Sequence, residues 1–136
     1  MDFNRPKHLN GGQSQALFYH LATMAGLEVW TEYSVTLTAE GWAKPHWTRF
    51  DAVIVHKDEI IAIVECKDRK WMLAYQRRQK RHDEPIEQEQ RYLAYGLPLY
   101  FVNDEADIHQ TIELLYALRE TVNAAMAQRQ WPEVRK

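Results

Sequence analysis

The chain has 136 residues, 46% of them hydrophobic, with 17 Lys and Arg against 19 Asp and Glu and a formal charge of -2. That balance predicts one α/β domain over residues 1–136, and it excludes a disordered, repetitive or disulfide-stapled chain, because the single Cys has no internal partner. No apolar run approaches the ~20 residues that span a bilayer, and the N-terminus lacks a charged-then-apolar leader pattern, so the expectation is a cytoplasmic protein with no membrane partner.

In chain order, residues 13–25 place Leu17, Phe18, Leu21, Ala22 and Ala25 at the core-facing spacing of a helix closed by Gly26. Residues 28–38 alternate through Val29, Trp30, Tyr33, Val35 and Leu37 as a strand would, and 39–47 hold turn residues. Residues 49–56 and 60–67 are nearly continuous apolar runs joined by the polar turn Lys57-Asp58-Glu59, which predicts a hairpin of central strands covered on both faces. A helix of about three turns is expected around Gln88, with Pro85 in its first turn, Gly96 at its end and Pro98 preventing its continuation. Residues 98–102 read as a short buried strand. From Asp107 onward Ile108, Ile112, Leu115, Val122 and Met126 recur at helical spacing, ending near Trp131-Pro132. The expected order is helix, three strands, helix, strand, helix.

Asp51, Glu65 and Lys67 stand at the ends of the two apolar strands, where charge calls for a function. Alternation puts Glu65 and Lys67 on one face and Cys66 on the other, and antiparallel pairing can bring Asp51 beside Glu65. Two carboxylates about 4 Å apart repel by roughly 4 kcal/mol at an effective dielectric of about 20, so a divalent cation is their natural companion. Downstream, Gln88 and Tyr92 are four residues apart and share a helix face.

Charge is unevenly spread. Lys67, Arg69, Lys70, Arg77, Arg78, Lys80 and Arg81 face the single acid Asp68, with Trp71 and Tyr75 interleaved. Such a run is either a solvated face or a surface that neutralises phosphates and offers rings to unpaired bases; its place directly after Lys67, with Arg49 close to Asp51, favours the second. Other chemistries have little footing. The histidines are scattered without a zinc-binding spacing, one Cys cannot hold an iron-sulfur cluster, and neither a Gly-rich phosphate loop nor a Gly-x-Ser-x-Gly elbow is present.

Asp51 followed by Glu65-Cys66-Lys67 resembles the motif of the PD-(D/E)XK nuclease superfamily, and Gln88-x-x-x-Tyr92 after it is similar to the RecB-type and Holliday-junction-resolvase-like branch. Phe50 replaces the Pro that often precedes the Asp. The resemblance implies a restriction-endonuclease-like α-β-β-β-α-β-α core with a central mixed sheet flanked by helices. It implies that Asp51, Glu65 and the Cys66 carbonyl oxygen hold Mg²⁺ or Mn²⁺, that Lys67 positions or activates the attacking water, and that Gln88 and Tyr92 lie near the metal. Relatives carry a Glu near the start of the first helix; Gln15 is the comparable position here, with Gln13 the other candidate. The implied activity is hydrolysis of phosphodiester bonds, in DNA first with RNA as an open alternative, by a structure-specific endonuclease, resolvase or exonuclease. A resolvase would work as a homodimer. The rival expectation is a catalytically silent member of that fold that binds nucleic acid or protein.

Overall fold

The computed structural model describes residues 9–37, 41, 43–93 and 96–128. Its elements are α1 (Gly11–Met24), β1 (Glu28–Leu37), β2 (His46–His56), β3 (Glu59–Cys66), α2 (Arg69–Lys80), α3 (Glu87–Leu93), β4 (Leu99–Val102) and α4 (Glu105–Ala127). The strands form one open mixed sheet in the order β1-β2-β3-β4, antiparallel except for the parallel β3–β4 pair. Parallel pairing requires a crossover, and α2 and α3 supply it. The architecture is therefore α/β, with helices flanking a four-stranded sheet.

Local chemistry fixes the ends of these elements. At the start of α1, Asn10 Oδ1 accepts from the Gln13 N–H while Gln13 Oε1 accepts from the Asn10 N–H, a reciprocal capping box. Its other end closes with Leu27 N–H on the Ala22 carbonyl and Gly26 N–H on the Thr23 carbonyl, for which Gly26 takes φ +87°. Asp104 and Asp107 cap α4 in the same reciprocal way. The β2–β3 hairpin turns on two residues, Lys57 and Asp58, both at positive φ, which suits the right-handed twist of the strands it joins.

The sheet has an apolar layer on each side. Phe18, Ala22, Ala52, Ile54, Val64, Ile108, Ile112 and Leu115 pack α1 and α4 on one face. Phe50, Val53, Val55, Ile60, Ile63, Tyr92 and Leu97 form the layer on the other. Every residue of β3 after Glu59 is buried. That explains its unbroken Ile, Ala and Val run, since a central strand has no face left for polar side chains.

Three sequence expectations change. The basic stretch forms a helix, α2, capped by Asp68 Oδ1 on the Trp71 N–H. The element around Gln88 is shorter than three turns where it is described, seven residues. β2 also begins earlier, because its ladder with β1 runs to the Leu37–His46 pair. Thr38, positions 39, 40 and 42, and the expected helix end near Trp131-Pro132 lie outside the described residues.

Ile108 is fully buried between α4 and the sheet, whereas Met24 is 76% exposed. Ile108→Ala is expected to lower stability by about 2–5 kcal/mol in urea denaturation. Met24→Ala should change it by no more than about 0.5 kcal/mol.

Candidate active site

The ladder between β1 and β2 skips one pair. Thr31 faces Ala52 and Tyr33 faces Phe50, but Glu32 and Asp51 between them are unpaired in the ladder. Phe50 and Ala52, two residues apart, point to opposite apolar layers instead of sharing one. Side-chain alternation is therefore broken at Asp51. Glu32, across from it, takes φ +54°, an uncommon conformation for a non-glycine residue.

The break frees Asp51 to face β3. Its N–H donates to Glu65 Oε1 at 3.2 Å, and its own Oδ2 accepts from the Cys66 N–H at 2.8 Å. Each carboxylate thus satisfies a backbone donor on the other strand. Within an extended residue N–H and C=O point the same way, so the Cys66 carbonyl oxygen also lies on the Asp51 side. Gly11, at the start of α1, leaves room there: a Cβ on it would come within 3.3 Å of that oxygen.

Glu65 is buried, with 2% exposure. Burial raises its pKa most, followed by the Asp51 charge and a side-chain hydrogen bond to Asp51; the Asp51 N–H and the Lys67 ammonium act in the opposite direction. The net result is a carboxyl pushed up to about 8. The Cys66 thiol is held well above its usual value, again chiefly by burial, and belongs to the core.

Lys67 leaves the sheet one residue beyond β3. Its N–H donates to the Val102 carbonyl, and its carbonyl accepts from Asn103 Nδ2 at 2.7 Å. The same amide also donates to the Leu9 carbonyl, tying the entry to α1 to the end of β3. The ammonium donates to Gln88 Oε1 at 2.7 Å; Gln88 Nε2 in turn reaches the Tyr92 hydroxyl, which also pairs with Thr48 Oγ1. Tyr92 has a double position: its ring packs edge-on against Phe50 in the core while its hydroxyl ends this polar chain.

Of the two helix-start candidates, Gln15 reaches the site, donating Nε2 to the Asp51 carbonyl at 3.2 Å, whereas Gln13 is used in the cap of α1. Asn103 and Gly11 were missed in the sequence. The signal for Asn103 was a polar residue directly between an apolar strand and the Asp104 cap. His56 bonds Asn123 Oδ1 and has a structural partner.

The basic residues divide along α2. Arg69 and Lys70 lie in its first turn beside Lys67, with Arg69 on Asp104 at 3.3 Å. Arg77, Arg78, Lys80 and Arg81 lie about 12–18 Å further along the axis. There Arg77 bonds the Leu73 carbonyl, Arg78 the Glu84 carbonyl and Arg81 the Asp83 carboxylate. Cations in the last turn also suit the helix dipole. Arg49 is exposed on β2, two positions before Asp51.

Among the described residues, no group of three or more His, Cys, Asp and Glu could hold a metal ion. A cation here would rest on two carboxylates, the Cys66 carbonyl oxygen and water. That oxygen-only, incomplete set fits Mg²⁺ or Mn²⁺ better than zinc. The like carboxylates of Asp51 and Glu65, and the close approach of Gly11 to the Cys66 carbonyl oxygen, which a Cβ would crowd, fit the same class of ion. No family model matches the chain, and no curated protein or solved structure matches it. No described helix is long and apolar enough to cross a membrane.

The raised value of Glu65 has a pH signature. The folded protein keeps a proton that the unfolded chain, with a value near 4.5, gives up. Stability from this group is full below that value and is lost as pH rises toward 8, at up to about 1.4 kcal/mol per unit. Urea denaturation in EDTA from about pH 5 to about pH 9 is expected to show the decline, and Glu65→Gln to flatten it.

Proposed function

We propose that the protein is a metal-dependent nuclease of the PD-(D/E)XK type that hydrolyses phosphodiester bonds, with DNA as the first substrate and RNA as the alternative. The observation that carries the reading is the pair of carboxylates crossed between strands, Glu65 accepting from the Asp51 N–H and Asp51 from the Cys66 N–H, two residues from a lysine held by Gln88. The element order supports it too, with the acids on the central β2–β3 hairpin and Gln88 on the crossover to β4.

In this reading Asp51, Glu65 and the Cys66 carbonyl hold Mg²⁺ or Mn²⁺, which would supply Lewis-acid charge at the scissile phosphate. Lys67 orients the attacking water and offsets charge that grows on the phosphate oxygens. Gln88 fixes Lys67, and Tyr92 fixes Gln88. Gln15 braces the Asp51 backbone but brings no charge. In the same reading Lys70 and Arg49, with Arg69 from its ion pair to Asp104, would meet phosphates next to the scissile one, and the distant Arg77–Arg81 cluster would meet a longer substrate. A resolvase would need two copies, and the exposed aromatics Tyr19, Trp47 and Tyr116 are surfaces a second copy could use. Gln15 in place of an acid also favours a second reading, a silent fold that binds nucleic acid or protein without cutting.

Labelled single strand, duplex, nicked, flap, four-way-junction and RNA substrates, each with Mg²⁺, Mn²⁺ or EDTA, separate the two. Metal-dependent cutting is expected, reduced at least ~100-fold in Lys67→Ala. Asp51→Asn is the better acid variant, because its amide oxygen can still accept from Cys66 while losing the charge. Binding without cutting, unaffected by Lys67→Ala or by metal, would establish the silent fold instead. Calorimetry in buffers of different ionisation enthalpy gives a second expectation: Mn²⁺ binding at about pH 7 releases close to one proton per ion, and none in Glu65→Gln.

A further inference from the structure

The basic helix contains a ring whose position differs from that of a surface stacking platform. The Lys67 ammonium lies over the Trp71 indole, 5.0 Å from the ring centroid, while donating to Gln88 Oε1 on its other contact. Trp71 comes four residues before Tyr75, so helical spacing stacks the two rings, and Lys67, just ahead of the Asp68 cap where the chain passes from β3 into α2, meets the indole at the start of the helix.

The indole is firmly held. It stacks on Tyr75 at 5.1 Å and 12°, and packs against Phe101 of β4 at 4.8 Å. Tyr75 contacts Phe101 as well, and its hydroxyl donates to Glu89 of α3. The backbone N–H of Trp71 is fixed by the Asp68 cap. Three rings from α2 and β4, tied to α3, therefore form a rigid floor under a side chain that is intrinsically flexible.

From this geometry we infer that Trp71 is a positioning residue for Lys67. An ammonium has three donors, and Gln88 takes one. An indole face attracts the cation through its quadrupole without offering an oxygen acceptor. The remaining two donors stay available for the attacking water and a phosphate oxygen. A carboxylate in the same place would capture a donor and cancel the charge. The inference rests on the reading of Lys67 as the residue that orients the water, and it replaces base stacking as the role of Trp71.

Two independent readouts test it. The first needs no activity: the Lys67 CεH₂ resonance, assigned with Lys67→Arg, should be shifted upfield by the indole ring current, partly retain the shift in Trp71→Phe, and return to the value of a free lysine in Trp71→Leu. The second is kinetic, on the substrate cut best with Mn²⁺. Trp71→Leu should lower kcat by about 10–100-fold with KM changed less than about threefold, and Trp71→Phe should recover most of the loss. Tetrafluorotryptophan at position 71 keeps the shape of the ring but removes its negative face, and should lower kcat like Trp71→Leu even if that variant folds poorly. An unshifted Lys67 resonance in the unmodified protein, or a kcat indifferent to fluorination, would overturn the inference. So would a loss confined to KM for single-stranded substrate, which is the signature of base stacking. If no substrate is cut under any condition, the proposed nuclease function fails, and the resonance alone decides the Lys67–Trp71 contact.

Discussion

Two carboxylates side by side, Glu65 buried and Asp51 half-buried, are the constraint around which the rest of the molecule is arranged. Asp51 and Glu65 would be costly neighbours in a dry sheet, yet each accepts a backbone N–H that the interrupted ladder leaves available. Those bonds stabilise the pair in place without removing its mutual repulsion. Burial first, and the Asp51 charge second, push the Glu65 carboxyl up to about 8. A site with this residual negative charge is suited to a cation, and that is the physical basis of the proposed chemistry.

The surrounding elements each contribute one support. α1 brings Gln15 to the Asp51 carbonyl and a side-chain-free Gly11 to the Cys66 carbonyl. α3 sends Gln88 to Lys67, anchored through Tyr92 to the core. α2 provides the aromatic floor, and Asn103 at the end of β4 joins the carbonyls of Leu9 and Lys67. These groups come from the beginning, middle and end of the chain. Only the fold brings them within reach of one another, which is why the apolar layers on both sides of the sheet matter to the chemistry.

The hairpin was legible because a central strand must be apolar on both faces, so acids at its end stood out against Ile60–Val64. The Gln88–Tyr92 pair was legible through helical spacing and the prolines around it. Gln15 could not be separated from Gln13 by sequence, since the choice depends on which one the N-terminal cap consumes. The helix α2 was missed because seven cations over so few residues read as a surface patch, and its apolar stripe of Trp71, Met72 and Tyr75 is narrow. Trp71 illustrates the wider difficulty: an aromatic among cations has the same sequence signature whether it faces a base or a lysine. Asn103 and Gly11 were hidden for another reason, because their partners are backbone oxygens that carry no residue signature.

The parallel pairing of β3 with β4 has a bearing on the order in which the molecule is built. The β1–β2–β3 meander joins neighbours through short connections, and a chain that has reached only Cys66 already contains both acids on adjacent strands. The Lys67 N–H, by contrast, finds the Val102 carbonyl only after α2 and α3 have been traversed and that longer loop has closed. Gln88 and Phe101 arrive with the same segment. The acidic pair therefore needs only the pairing of neighbouring strands and the aligned lysine needs the crossover as well, so that competence for the proposed reaction depends on completion of the sheet.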